Sequence, residues 1–464
     1  MKKLFFASGL IFLLFFRAFS SDFNFEHDER YNFLQGHIQA KENFLPHEDF
    51  LKAALTASGC TDDKILSLTS ILKNHFAEFE KTLTAETSQT EKAQKALSFL
   101  YEKIISKYSE MQTLVDVALE QGIYNCVSSD ILYIYFLKCL EIPVVAVETP
   151  DHAFCTVTID DRKIDVETTN PYGFEPGKKN QIPNSKKYIS VPQKKYRGRH
   201  EISDFRLIAL ILNNRIVTLQ RKIQNSKSIE LAVDALYIQN NSSEAMTTFY
   251  QCVTNASVDL SNSQKNDEAL QLVREAKAKF GDSPIFENNT LAIINNSVAE
   301  SAKKNQFEEG FLTLTKNQDL LSPSDYNELT RILTENQLNY IIKNEPFENA
   351  INAVHGKKSV LPQKNYEKLV SFAYQTEANR ISKGENFIEA AKFSEKGLLE
   401  LPNDANLTRQ KASFMRNYEV KIHNQAAKLA NSGKKDEAKL VVEEGLKNYP
   451  ESKTLRTDLQ RLSR

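Results

Sequence analysis

Residues 122–170 read GIYNCVSSDILYIYFLKCLEIPVVAVETPDHAFCTVTIDDRKIDVETTN, and the hydrophobic period changes inside this stretch. After Cys126, apolar side chains at Val127, Ile131, Leu132, Ile134, Phe136 and Leu137 follow helical spacing. Asn125 is a residue type that caps helix N-termini, so Cys126 falls in the first turn. From Pro143 the pattern is that of strands. PVVAVET (143–149) is β-branched, and His152–Ile159 and Lys163–Thr168 flank Asp160-Asp161, a hairpin signature. The expected fold is α+β: a helix carrying Cys126 packed on a small antiparallel sheet.

The same stretch holds the residues able to do chemistry. At a helix start, unpaired N–H groups and the positive dipole end favour a thiolate, the form in which cysteine attacks. A nucleophilic cysteine needs an imidazole within hydrogen-bond reach and a third group to orient that imidazole. Along the strand from His152, residues 152, 154 and 156 share a face. A two-residue turn at Asp160-Asp161 makes paired positions sum to 321, which sets His152 opposite Thr169 and diagonal to Glu167. A diagonal neighbour lies about 7–8 Å away, within reach of a Glu side chain. Asp165 shares the face but stands two residues further off, so Glu167 is the expected orienting acid and Asp165 the alternative. A three-residue turn reverses the parity and removes both. An oxyanion would need the Cys126 N–H and a second donor, for which Gln121 and Tyr124 are near in sequence.

Outward from this segment, residues 22 to about 110 read as mostly helical. Ala93–Tyr108 (AQKALSFLYEKIISKY) places Leu97, Leu100, Ile104 and Ile105 on one helical face. Residues 170–200 read as a loop, and from Ser203 onward every pattern is helical. That half repeats: Ala390, Gly397 and Pro402 recur with identical offsets as Ala438, Gly445 and Pro450. Ala350 with Pro362 keeps the outer offset, while Gly310 with Pro323 and Ala269 with Ala276 are looser copies and Ala232 marks a degenerate one. The markers are spaced 37, 41, 40, 40 and 48 residues apart, a period typical of stacked helical units. Small residues are expected where the helices of a hairpin cross, with proline ending the second helix.

Two resemblances follow. GENFIEAAKFSEKGLLELP (384–402) and NSGKKDEAKLVVEEGLKNYP (431–450) resemble tetratricopeptide repeats, which implies a solenoid with a partner-binding concave face. Gly122…Cys126, the helix after it, Ile142-Pro143, His152 and Val166-Glu167-Thr168-Thr169 resemble the transglutaminase-like (papain-like cysteine protease) superfamily, in its bacterial form. Thr113-Leu114 and Gln121-Gly122 fit its lead-in, and Arg206–Arg215 resembles the passage into helical repeats. The resemblance implies Cys126 as nucleophile, His152 as general base and Glu167 where many members carry Asp. Glu141 stands where the family usually has glycine.

The rest of the chain frames the expectation. It has 464 residues, 41% apolar and 26% charged, with net charge −1, so nothing draws it as a whole to nucleic acid or an anionic membrane. Lys2-Lys3, the apolar run Leu4–Phe16 and Ala18-Phe19-Ser20 read as a signal peptide over residues 1–21, with Arg17 leaving an uncleaved anchor as the alternative. Export to the periplasm or medium is expected. The five cysteines, Cys60, Cys126, Cys139, Cys155 and Cys252, include no C-x-x-C, and His152-x-x-Cys155 is isolated, so no metal and no cofactor are expected. No phosphate loop or dinucleotide fingerprint occurs. Residues 178–199 hold Lys178, Lys179, Lys186, Lys187, Lys194, Lys195, Arg197 and Arg199 without an acid, a solvated linker or a steering patch for acidic substrate. The expected domains are 22–202, transglutaminase-like with an N-terminal helical part, and 203–464, repeats. The expected function is an exported peptidase, amidase or amine-transferring acyl transferase acting on peptide or protein, with a protein partner on the repeats. The alternative is an inactive scaffold of the same architecture.

Overall fold

The structure, a computed structural model, describes residues 23–176 and 198–464. The expected signal peptide and most of the basic run 178–197 lie outside the described residues. No described helix is long and apolar enough to cross a membrane. The chain is mostly helical with a small antiparallel sheet, and it divides into two compact units, Met1–Thr290 and Leu291–Arg464.

In the first unit the helix Cys126–Cys139 is the centre of the core. It is apolar all round, and every residue from Val127 to Leu137 is buried, as such a helix must be. The helices His47–Ala57, Gln89–Lys103, Val115–Gln121 and Asp204–Arg221 surround it, together with three strands. Phe136 is fully buried among Phe76, Phe79 and Phe99, with ring centroids 5.4, 5.5 and 5.9 Å away. Burying a side chain of this size stabilises the fold by roughly 1.5–3 kcal/mol.

The strands are β1 (Lys107–Tyr108), β2 (Ile123–Tyr124), β3 (Val144–Thr149), β4 (His152–Ile159), β5 (Arg162–Val166) and β6 (His200–Ile202). β3 to β6 form one antiparallel sheet in the order β5-β4-β3-β6, and β1 pairs with β2 in parallel. The β4–β5 register pairs Ile159 with Arg162 and Cys155 with Val166, the sum of 321 expected from the sequence. Asp160 and Asp161 both take left-handed backbone, φ 49° and 60°, as a tight two-residue turn requires.

Three local readings change, at the end of the helix, the end of the third strand and β6. The helix expected over 93–108 ends at Lys103, and β1 follows. The N–H groups of Ser106 and Lys107 bond instead to the Gly122 carbonyl, at 2.8 and 3.0 Å, while Ile104 and Ile105 stay buried. The third strand stops at Val166 rather than Thr168, and β6 lies in what reads as loop. The boundary at 202/203 falls inside the first unit, because helix Asp204–Arg221 is bound into its core. Asp204, 2% exposed, accepts from Leu45 N at 2.7 Å and pairs with Lys138 at 2.7 Å, and Arg206 grips Glu148 of β3 with two bonds of 2.9 and 2.7 Å.

Glu141 has φ 57° just past the cysteine helix, a backbone conformation that suits glycine. An L side chain is strained there by roughly 1–2 kcal/mol. Glu141→Gly is therefore expected to raise unfolding stability by about 1 kcal/mol, read from denaturant midpoints. An unchanged or lowered midpoint counts against this account.

The repeat markers have a common place. Ala269, Gly310, Ala350, Ala390 and Ala438 are each the fourth residue of a helix: Asn266–Phe280, Phe307–Lys316, Phe347–Gly356, Phe387–Glu400 and Lys435–Asn448. All five are buried. Ala232 is the eighth residue of Asn225–Ile238 and departs from the pattern. The second small position is a close approach: a Cβ on Gly397 would lie 2.8 Å from Tyr374 Cγ, and one on Gly445 2.7 Å from Ile422 Cγ2. Both neighbours stand on the preceding helix, Gln363–Ser382 and Ala405–Asn431 respectively. Pro402 and Pro450 lie just past a helix end, whereas Pro323 and Pro362 begin the next helix.

Candidate functional site

The site begins with the cap of the cysteine helix. Asn125 Oδ1 accepts from Ser128 N at 3.1 Å, and Ser128 Oγ accepts from Asn125 N at 3.0 Å, a reciprocal capping box. Cys126 is therefore the first helical residue, as the sequence indicates. It is half-buried, and its side chain lies close enough to the His152 imidazole to push that ring's titration up.

His152 opens β4. Its Nε2 lies 2.8 Å from Glu167 Oε2. The two side chains are only 9% and 2% exposed. Burial pulls the imidazole down, but the hydrogen bonds to Cys126 and Glu167, with their charges, push it up to about 11. The ring sits between two acidic side chains, an arrangement that favours its protonated form.

Glu167 reaches His152 by leaving the ladder. The expected pairing of His152 with Thr169 does not form, because strand pairing ends at Val166 and a tight loop follows. In that loop Asn170 N donates to Glu167 O at 3.2 Å, Gly173 N to Asn170 O at 2.8 Å, and Glu167 N to Gly173 O at 2.9 Å. The loop closes so tightly that a Cβ on Gly173 would sit 1.9 Å from the Glu167 carbonyl oxygen. Thr169 turns inward, and its N–H and hydroxyl both donate to Glu167 Oε1, so each carboxylate oxygen has a fixed partner.

Asp165, the alternative acid, is committed elsewhere. Arg199 binds it with bonds of 2.7 and 2.9 Å, and the Thr156 hydroxyl donates to it at 2.9 Å. Burial raises its carboxyl, but Arg199 and Thr156 together hold it below the usual range. Arg199, one end of the basic run, thus serves the sheet edge, and its guanidinium also lies 5.0 Å from the Phe154 ring. Of the two residues near in sequence for an oxyanion donor, Gln121 is exposed on the last turn of its helix. Tyr124 is buried and donates its hydroxyl to Tyr101, which donates to Thr168 O at 2.8 Å.

Two residues escaped the sequence reading. Tyr108, set beside Tyr124 by the β1–β2 pairing, has its phenol pushed up by burial and next by the charge of Cys126. Asp130, one turn beyond Cys126, is fully buried beneath the site. Its spacing of four from Cys126 was a visible signal, but a lone acid on an apolar helix does not announce its partners. Among the described residues no group of three or more His, Cys, Asp or Glu is placed to hold a metal. All five thiols are free. Burial raises Cys60 and Cys139 to about 11, and it raises Cys155 and Cys252 too.

Compared with known proteins, no protein-family model matches this chain, and no curated protein matches it significantly. A crystal structure of menin, described as revealing the binding site for Mixed Lineage Leukemia (MLL) protein, is similar over 85% of this chain and 97% of that one, at 11% identity. Its TM-score of 0.33 is too low to carry an argument about fold or activity.

Proposed function

We propose that this chain is an exported cysteine enzyme of transglutaminase-like fold that transfers acyl groups from peptide or protein amides, with tetratricopeptide-like repeats that hold a protein partner. One observation carries the reading: the His152 ring is hydrogen-bonded to the Glu167 carboxylate at 2.8 Å and lies beside the Cys126 side chain, which helps to push the ring's titration up. The order supports it further, with Cys at a helix start, His at the start of β4 and the acid directly after β5.

In this mechanism the Cys126 thiolate adds to the amide carbonyl carbon, and the C–N bond breaks as the His152 imidazolium gives its proton to the departing amine. Water or an amine then adds to the thioester, losing its proton to His152. The S–C bond breaks, and the thiolate–imidazolium pair returns. Glu167 does not take the proton; it keeps the ring oriented and charged.

The test uses the full chain with casein peptides and a biotinylated primary amine as probes. Wild type is expected to yield cleaved or deamidated peptide, or biotin-labelled peptide, and Cys126→Ala neither. The hydrolysed and biotinylated products separate hydrolase from transferase. No product, with a folded Cys126→Ala chain that fully complements a deletion strain, would leave an inactive scaffold.

A further inference from the structure

Asp130 is a charged residue type, wholly enclosed, that the chemistry above does not use. It projects from the cysteine helix one turn after Cys126. Its Oδ1 accepts from the Thr168 hydroxyl at 2.5 Å and from the Cys155 thiol at 3.2 Å. Thr168 directly follows Glu167, and Cys155 lies three residues beyond His152 on β4. Ser129 adds a second tie from the same helix, with its hydroxyl 2.9 Å from Thr168 Oγ1. One carboxyl oxygen therefore joins the three elements that carry the sulfur, the imidazole and the acid.

We propose that Asp130 is a positioning residue that sets the spacing of Cys126, His152 and Glu167 by holding the helix to both strand segments from beneath. The proposal rests on the reading of Cys126, His152 and Glu167 as a catalytic triad.

The chemistry of the carboxyl fits. Its Oδ2 is buried with no hydrogen-bond partner among the described residues, an arrangement costly for a carboxylate but tolerable for a neutral acid. Burial pushes Asp130 up to about 7, against the pull of the Thr168 and Cys155 hydrogen bonds, and the nearby Glu167 charge raises it further. Below about pH 7 the neutral acid ties the elements together without placing a second negative charge beside the orienting carboxylate, and above it Oδ1 still accepts both hydrogen bonds. A hydroxyl side chain is too short to span both donors, and an apolar one leaves them unpaired.

The experiment records the ¹⁵N resonances of the His152 ring at pH 8 and the iodoacetamide rate at Cys126, in the full-length wild type, Asp130→Ala and Asp130→Asn. Wild type is expected to show an imidazolium. Asp130→Ala should lose it and slow labelling by roughly tenfold to a hundredfold, the usual cost of a misplaced reacting group. Asp130→Asn keeps an acceptor oxygen at the same reach and should restore both. A folded Asp130→Ala with the wild-type ring spectrum would overturn the proposal, as would Asp130→Asn behaving like Asp130→Ala. Should Asp130→Ala not fold, Thr168→Val and Cys155→Ala each remove one donor; wild-type spectra in both also overturn it. Wild-type Cys126 labelling no faster than Cys139 defeats the enzymatic reading alone, since the ring spectra still report on Asp130. A wild-type ring already neutral at pH 8 defeats both.

Discussion

Replacing His152 with alanine is expected to slow the labelling of Cys126 by iodoacetamide at pH 6.5 by about a hundredfold, the lower range for loss of an acid–base partner. Iodoacetamide reacts with the thiolate, and at pH 6.5 an isolated thiol supplies little of it. In the proposed mechanism the His152 imidazolium and the helix start supply that form. The other cysteines serve as internal standards. Cys139 is only partly enclosed, yet its thiol is raised to about 11, so it should label slowly in wild type and variant alike. Peptide mapping after brief alkylation gives each rate. Equal labelling of Cys126 and Cys139 in the wild type, or no change on His152→Ala, would remove the chemical role of the site.

Glu167→Ala should cost about 3–5 kcal/mol of stability near pH 6, because it leaves a buried imidazolium without its carboxylate. Glu167 and His152 are 2% and 9% exposed in their side chains, so solvent screens the pair little. The pH dependence has a definite sign. The folded His152 is raised to about 11, above its ordinary value, so the stability from its protonated form is complete below about pH 6.5. That stability declines as pH rises and is lost through about 11. The deficit of Glu167→Ala relative to wild type should therefore be widest near pH 6 and close towards pH 11. Urea unfolding at several pH values measures it. A deficit that grows with pH would show that His152 is neutral in the native state. Asp165→Ala should not reproduce the pattern, since its partners are Arg199 and Thr156.

The repeats and the triad were legible to different depths. The marker spacing of about 40 residues located the helical hairpins, and each marker from Ala269 to Ala438 falls at one helical position. Proline was read as a terminator, whereas Pro323 and Pro362 start helices, since the ring suits a first turn as well as it ends one. The contacts of the first helix after residue 202 are equally invisible in the periodicity. Helix Asp204–Arg221 looks like its successors in sequence, but the Asp204–Lys138 and Arg206–Glu148 pairs bind it to the first core.

What the sequence determined by itself was local: the capped helix start at Cys126, the two-residue turn at Asp160-Asp161 and hence the parity that puts His152 and Glu167 on one face. Such features follow from hydrogen bonds and backbone angles within a few residues, which composition and spacing encode directly. Only the tertiary structure decided how far the ladder runs, that Gly173 folds the loop back on Glu167, and that Asp130 lies beneath all three elements. Those outcomes depend on which buried polar groups find partners across distant segments, and no periodicity along the chain records that.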